Sequence, residues 1–332
     1  MSKIIITDSS LRDGNHSVKH SISLKSIKKY CKFADSAKIP IIEVGHGNGL
    51  GASSLLIGES TFTDQEIIST ARRYLSNSKL GVHIIPGIAT VNKDIKQAVD
   101  LGVDVFRVAT HCTEASVSKS HIEYLKNKDK TVFGVLMMTA LASVEQLVEN
   151  AKLMQDYGAE AIIIMDSTGS YLPFDVRERI KALKESLSIE IGFHAHNNLG
   201  LSVYNTIEAV KNGATYIDSC IRGFGAGAGN TPLEVLIPVL EKYNFKLDIN
   251  YDLVIREADN VMKYLINESP HISPVNVLTG LNRLFSGFEK PIINAAKINN
   301  IEYSSLIFEL GNRKLVAGQE DLILEIASKL NN

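Results

Sequence analysis

Gly158-Ala159-Glu160-Ala161-Ile162-Ile163-Ile164-Met165-Asp166 closes one helix and opens one strand. Glycine at the position after a helix takes left-handed backbone with no Cβ penalty. The run behind it is apolar at odd and even positions alike, the composition of a parallel strand covered on both faces. The same junction stands at Leu101-Gly102-Val103 and Asn212-Gly213-Ala214. The three glycines are 56 and 55 residues apart, about two strand–helix units each.

Working outward, eight such runs occur, at residues 4–7, 41–45, 81–86, 103–109, 131–138, 161–166, 189–195 and 215–221. Helical patterns fill the gaps. Ile27, Cys31 and Ala34 share one helix face, and Thr63 with Glu66 and Ser143 with Gln146 make capping boxes. Eight strands alternating with helices predict an α/β fold, a (β/α)8 TIM barrel. A doubly wound sheet fits less well, because no early Gly-x-Gly-x-x-Gly is present. The barrel is expected over 1–245. Residues 246–332 lack comparable strand runs and are expected to form a helical C-terminal domain, with its clearest helices at 252–267, 291–297 and 320–329.

Composition excludes several classes. The 332 residues carry 35 Lys and Arg against 37 Asp and Glu, a net charge of −2, which argues against nucleic-acid binding by bulk charge. The cysteines, Cys31, Cys112 and Cys220, form no Cys-x-x-Cys pair and read as reduced buried thiols. No apolar stretch is long enough for a membrane span, and no leader precedes the first strand. A cytoplasmic protein that binds neither membrane nor nucleic acid is expected.

In a barrel, chemistry sits where strands end at the carboxyl side. His194 and His196 are two apart on the seventh strand, so both rings face one side. Asp13 follows the first strand and can add an oxygen ligand. An Asp–His–His set leaves positions open for substrate, and such mixed ligands suit Mn²⁺, Mg²⁺, Fe²⁺ or Zn²⁺. Arg12 can hold a substrate carboxylate or a developing enolate oxygen, or can close the barrel end as an ion pair. His16 can act as a general base or be a solvated loop residue. The last positions of strands five to seven hold no lysine, which speaks against a Schiff-base aldolase. Gly223 to Gly229 reads equally as an anion cradle or a turn. Glu43, Asp166 and Asp218 are either support for the site or buried structural groups.

Leu11-Arg12-Asp13-Gly14-Asn15-His16 together with His194-Ala195-His196-Asn197-Asn198 resembles the DRE-TIM metallolyases, a superfamily that includes 3-hydroxy-3-methylglutaryl-CoA lyase and the isopropylmalate and citramalate synthases. With Glu43-Val44-Gly45-His46-Gly47, Arg107 to Glu114, Met137-Met138, Gly225 to Asn230 and Gly318-Gln319-Glu320-Asp321, the chain looks most like the 4-hydroxy-2-oxovalerate aldolases over nearly its whole length.

That resemblance implies the following. Asp13, His194 and His196 bind a divalent metal, Mn²⁺ first, with Mg²⁺, Co²⁺ and Zn²⁺ as alternatives. Arg12 and the metal hold the pyruvyl oxygens of a 4-hydroxy-2-oxoacid, and Ser167 helps with the carboxylate. His16 takes the 4-hydroxyl proton, and cleavage yields pyruvate and an aldehyde. An oligomer is implied, with an acylating aldehyde dehydrogenase docked on the helical part, and a role in aromatic hydrocarbon catabolism. One departure stands out: the tyrosine of the family's Tyr-Ser-Ser-Phe segment falls here on Leu284 or Phe285. Thr139-Ala140-Leu141 also replaces a more polar run. A Claisen-type acyl-CoA synthase and a non-catalytic partner subunit are the competing expectations.

Overall fold

The computed structural model describes residues 3–266 and 270–331. Eight parallel strands close a barrel in chain order: β1 (Ile5–Leu11), β2 (Ile41–Val44), β3 (Lys79–Ile84), β4 (Val105–His111), β5 (Thr131–Met137), β6 (Ala161–Asp166), β7 (Glu190–Ala195) and β8 (Tyr216–Ser219). The final pairing, Ile5 with Tyr216 through Asp8 with Ser219, shuts the ring.

Why both faces of these strands are apolar is visible at β6. Ile162 and Ile164 pack outward with helix residues, whereas Ala161, Ile163 and Met165 join Ile41, Val105 and Phe133 inside the barrel. Helices α1 (Leu24–Ser36), α2 (Asp64–Arg72), α3 (Lys96–Asp100) and α4 (Lys119–Lys126) follow the first four strands. Helices α5 (Val144–Asp156), α6 (Pro173–Ser186), α7 (Ser202–Lys211) and α8 (Leu233–Lys242) follow the rest. Both capping boxes form, on α2 and α5. Gly102, Gly158 and Gly213 have φ of +81°, +110° and +112°, which a side chain would resist.

β1 runs four residues beyond the expected 4–7. Asp8 and Ser10 give it a polar appearance, but their groups bond to each other and to Tyr30 of α1.

Helices continue as α9 (Tyr251–Met262), α10 (Pro274–Leu281), α11 (Glu289–Ile298), α12 (Tyr303–Asn312) and α13 (Glu320–Leu330). The expected helix 252–267 corresponds to α9; Asn267 lies outside the described residues. By packing, α9 goes with the barrel: Val254, Ala258 and Val261 join its core. A second core opens at Val275 and includes Leu284, Phe288, Leu306 and Ile323. All three cysteines are buried and free. Among the described residues no helix is long and apolar enough to cross a membrane.

Candidate active site

The turn after β1 and the end of β7 bring three buried side chains together. Asp13, His194 and His196 each offer a ligand atom, and these atoms lie within 4.8 Å of one another. His194 Nδ1 is 2.9 Å from Asp218 Oδ2. A carboxylate only accepts, so Nδ1 carries the proton and Nε2 keeps a free lone pair. Nδ1 of His196 is buried without a hydrogen-bond partner. One carboxylate and two imidazoles with unspent lone pairs fit a divalent cation.

Asp13 is held in place from three directions. Arg12 Nη1 donates to its Oδ1 at 2.7 Å, while Asn230 Nδ2 at 2.7 Å and the Ala226 N–H at 3.1 Å donate to Oδ2. Burial would raise this carboxyl, but the Arg12 guanidinium holds it well below the usual carboxylate range. The glycine-rich loop therefore does cradle an anion, and that anion is the protein's own Asp13. Its glycines are needed for the approach: a Cβ on Gly225 would stand 2.6 Å from Asp13 Oδ2.

Arg12 spends two of its three nitrogens on the protein. Nε donates to Glu43 Oε2 at 2.9 Å, Nη1 serves Asp13, and Nη2 is buried with no partner. Below it, Glu43 Oε2 lies 3.5 Å from Arg107 Nη1, and Arg107 Nη2 pairs with Asp218. A buried line of alternating charge thus crosses the barrel from Arg12 through Glu43 and Arg107 to Asp218, which accepts from His194. Burial alone would raise Glu43; Arg107 and Arg12 hold it well below its ordinary range. Glu43 and Asp218 support the site. Asp166 instead accepts from Thr168 Oγ1 and the N–H groups of Ser170 and Tyr171, building the turn that presents Ser167.

Ser167 Oγ accepts from the Met138 N–H at 3.0 Å, which leaves its own proton to donate. With His16, Met138, Ile85, Ala226 and Phe285 it lines a cavity of about 610 Å³ that reaches Val316 and Gly318. Burial pushes the His16 imidazole down to about 4, so it is neutral at pH 7. All six residues expected at the site therefore converge on the carboxyl end of the barrel. Of the two candidates for the family tyrosine, Leu284 is fully buried in the C-terminal core and Phe285 is in the cavity wall. Thr139 Oγ1 donates to Met165 O at 2.7 Å and takes the Tyr171 hydroxyl at 2.7 Å, tying β5 to β6. Three contributors were given no role in the sequence reading: Asn230, Arg107 and Ser286. The Ser286 N–H donates to Ser167 O at 2.9 Å, and its hydroxyl to Asn198 Oδ1 at 2.8 Å.

A family model described as HMGL-like matches residues 3–261, and one described as a DmpG-like communication domain matches 270–332. A 4-hydroxy-2-oxovalerate aldolase of Spirochaeta aurantia is 51% identical over 99% of this chain and 96% of its own. The chain belongs to the 4-hydroxy-2-oxovalerate aldolase family. An aldolase of that name from Pectobacterium atrosepticum is 49% identical over 99% of this chain and 96% of its own. Aldolases are carbon–carbon lyases, and the lyase class and barrel expected from the sequence agree with this family. The carboxyl transferase domain of Rhizobium etli pyruvate carboxylase superposes with a TM-score of 0.82, covering 99% of this chain and 60% of that one. At 14% identity that likeness shows the fold alone.

Proposed function

We propose that this chain cleaves a 4-hydroxy-2-oxoacid of the 4-hydroxy-2-oxovalerate type to pyruvate and an aldehyde. One observation carries the reading: Arg12, with one unspent buried donor, stands against Asp13 in a cluster with His194 and His196. Asp13, His194 and His196 would hold the divalent ion, for which Mn²⁺ is the choice. When bound, that ion supplies a Lewis acid for the 2-oxo end of the substrate.

The chain's own residues do the rest. Arg12 Nη2 donates to the oxygen on which enolate charge develops. Ser167 donates its hydroxyl proton to the substrate carboxylate. Neutral His16 takes the proton from the C4 hydroxyl. The C4–O bond becomes a carbonyl, the C3–C4 bond breaks, and its electron pair passes to the enolate. A proton from solvent at C3 gives pyruvate, and His16 releases its own proton to solvent.

Pyruvate release from racemic 4-hydroxy-2-oxovalerate, coupled to lactate dehydrogenase, tests this. Release with Mn²⁺ and none with a chelator is expected. A protein that has bound the ion and still releases nothing would refute it.

Phe285 brings a ring without a hydroxyl to the cavity wall. Restoring the hydroxyl by Phe285→Tyr is expected to favour one C4 enantiomer over the other by about 3- to 10-fold, the range of one hydrogen bond. Progress curves on the racemate read this directly: the variant shows two phases where the parent shows less separation. Unaltered curves would mean that position 285 does not face C4.

The communication-domain match supports docking of an acylating aldehyde dehydrogenase on the C-terminal helices. We take that unit to begin after α9, not at residue 246, because α9 shares the barrel's core. Leu281 and Ile298, at the ends of α10 and α11, are 64% and 73% exposed and suit an apolar contact.

A further inference from the structure

Lys19 and His20 follow each other with φ of +51° and +56°. Side-chain-bearing residues rarely enter this region, and two in succession mark a turn held by its surroundings. What the turn achieves is the placement of the His20 ring against the loop after β2. His20 Nδ1 accepts from the Gly47 N–H at 3.3 Å. The ring lies flat on His46, with centroids 3.5 Å apart and planes 20° apart. His46 is itself pinned at both nitrogens: Nδ1 accepts from the Asn48 N–H at 3.1 Å, so Nε2 carries the proton and donates to Gly58 O at 3.0 Å. His20 also meets His16 edge-on, at 5.3 Å and 72°.

Gly47 is the residue against which His16 rests. A Cβ there would lie 2.5 Å from His16 Nε2. The carbonyl of the same residue is 3.4 Å from Arg12 Nη1. One peptide segment thus sets the position of the base and borders the guanidinium, and His20 holds that segment. Neither His20 nor His46 lines the cavity that His16 enters.

We propose that His20 is a positioning residue for His16, fixing it through the bond to Gly47, with its own ring braced on His46. The proposal rests on the aldolase reading above, in which His16 takes the C4 hydroxyl proton. A base displaced by about 1 Å loses on the order of 10²-fold in rate. Exchange of the pyruvate methyl hydrogens with solvent involves no C4 hydroxyl, so it separates placement of His16 from general damage to the site.

The test uses the full chain with Mn²⁺. Cleavage of 4-hydroxy-2-oxovalerate gives kcat and KM, and NMR follows deuterium entering pyruvate. His20→Ala is expected to lower kcat by about 10- to 100-fold, with KM and the exchange rate within about 3-fold of the parent. Asparagine tolerates the left-handed backbone, and its Oδ1 can stand where Nδ1 stood. His20→Asn is therefore expected to return to within about 3-fold of the parent kcat. Gly47→Ala, which pushes His16 from the same peptide, is expected to show the same split and keeps the test open should His20→Ala fail to fold. Unaltered cleavage in His20→Ala overturns the proposal, as does an equal loss of cleavage and exchange in every soluble variant. Absence of cleavage by the parent protein falls instead on the aldolase reading.

Discussion

Arg12→Lys is expected to lower cleavage and pyruvate methyl exchange together, each by about 10²- to 10³-fold, the loss seen when one preorganised donor to a developing oxyanion is removed. The charge survives this substitution, so the effect isolates geometry. Arg12 uses a planar fork: Nε to Glu43 at 2.9 Å, Nη1 to Asp13 at 2.7 Å, and Nη2 left over. An ammonium is a point charge with no fixed third direction. It can satisfy Asp13 or Glu43 and then has no donor aimed at the enolate oxygen. The parallel fall in both reactions distinguishes Arg12 from His20, because both reactions pass through the enolate and only cleavage needs the C4 proton removed. A loss below about 10-fold would show that Nη2 is not the donor.

Arg107→Met has its largest effect on stability. Arg107 is fully buried between Glu43 and Asp218, both also buried. Methionine leaves two carboxylates near each other with their shared cation gone. Breaking a buried ion pair in this way costs about 3–5 kcal/mol. The sign with pH follows from the two carboxyls. In the parent, Arg107 opposes the upward push of burial on both and holds them low. In the variant Asp218 rises above its unfolded value and Glu43, which keeps Arg12, rises toward its own, so both take up protons more readily than in the parent. The deficit is therefore full near neutral pH and shrinks as pH falls toward 5. Urea midpoints for parent and variant at pH 7.5 and pH 5 measure this. A deficit under about 1 kcal/mol at pH 7.5, or one that grows on acidification, would contradict the account.

The fold was open to sequence reading because its signals are local. A glycine before a run apolar on both faces, repeated at even spacing, has few other meanings. Asp13, His194 and His196 were legible for the same reason: each stands at a strand end, and strand ends are where barrels place their chemistry. What stayed hidden depends on distant partners. Arg107 and Asp218 are 111 residues apart, and neither carries a mark of the other. Asp13 and Ala226 are 213 residues apart, so the glycine run could not be told from a plain turn. The choice between Leu284 and Phe285 turned on which of two neighbours faces the cavity. The spacing of the motif leaves both open, whereas the structure buries Leu284 in the second core and puts Phe285 in the cavity wall.

The seam at Ser286 joins the two cores through few bonds. Its N–H holds Ser167 O, its hydroxyl holds Asn198, and its carbonyl would be struck at 2.2 Å by any Cβ on Gly227. Ser167 and Ala226, the neighbour of Gly227, both line the cavity. A substrate in that cavity and a partner docked on the C-terminal helices, as proposed above, would act on one mechanical joint from opposite sides. Thermodynamic reciprocity then fixes their relation: whatever factor a bound partner applies to substrate affinity by shifting Ser286, the substrate must apply to the partner's affinity.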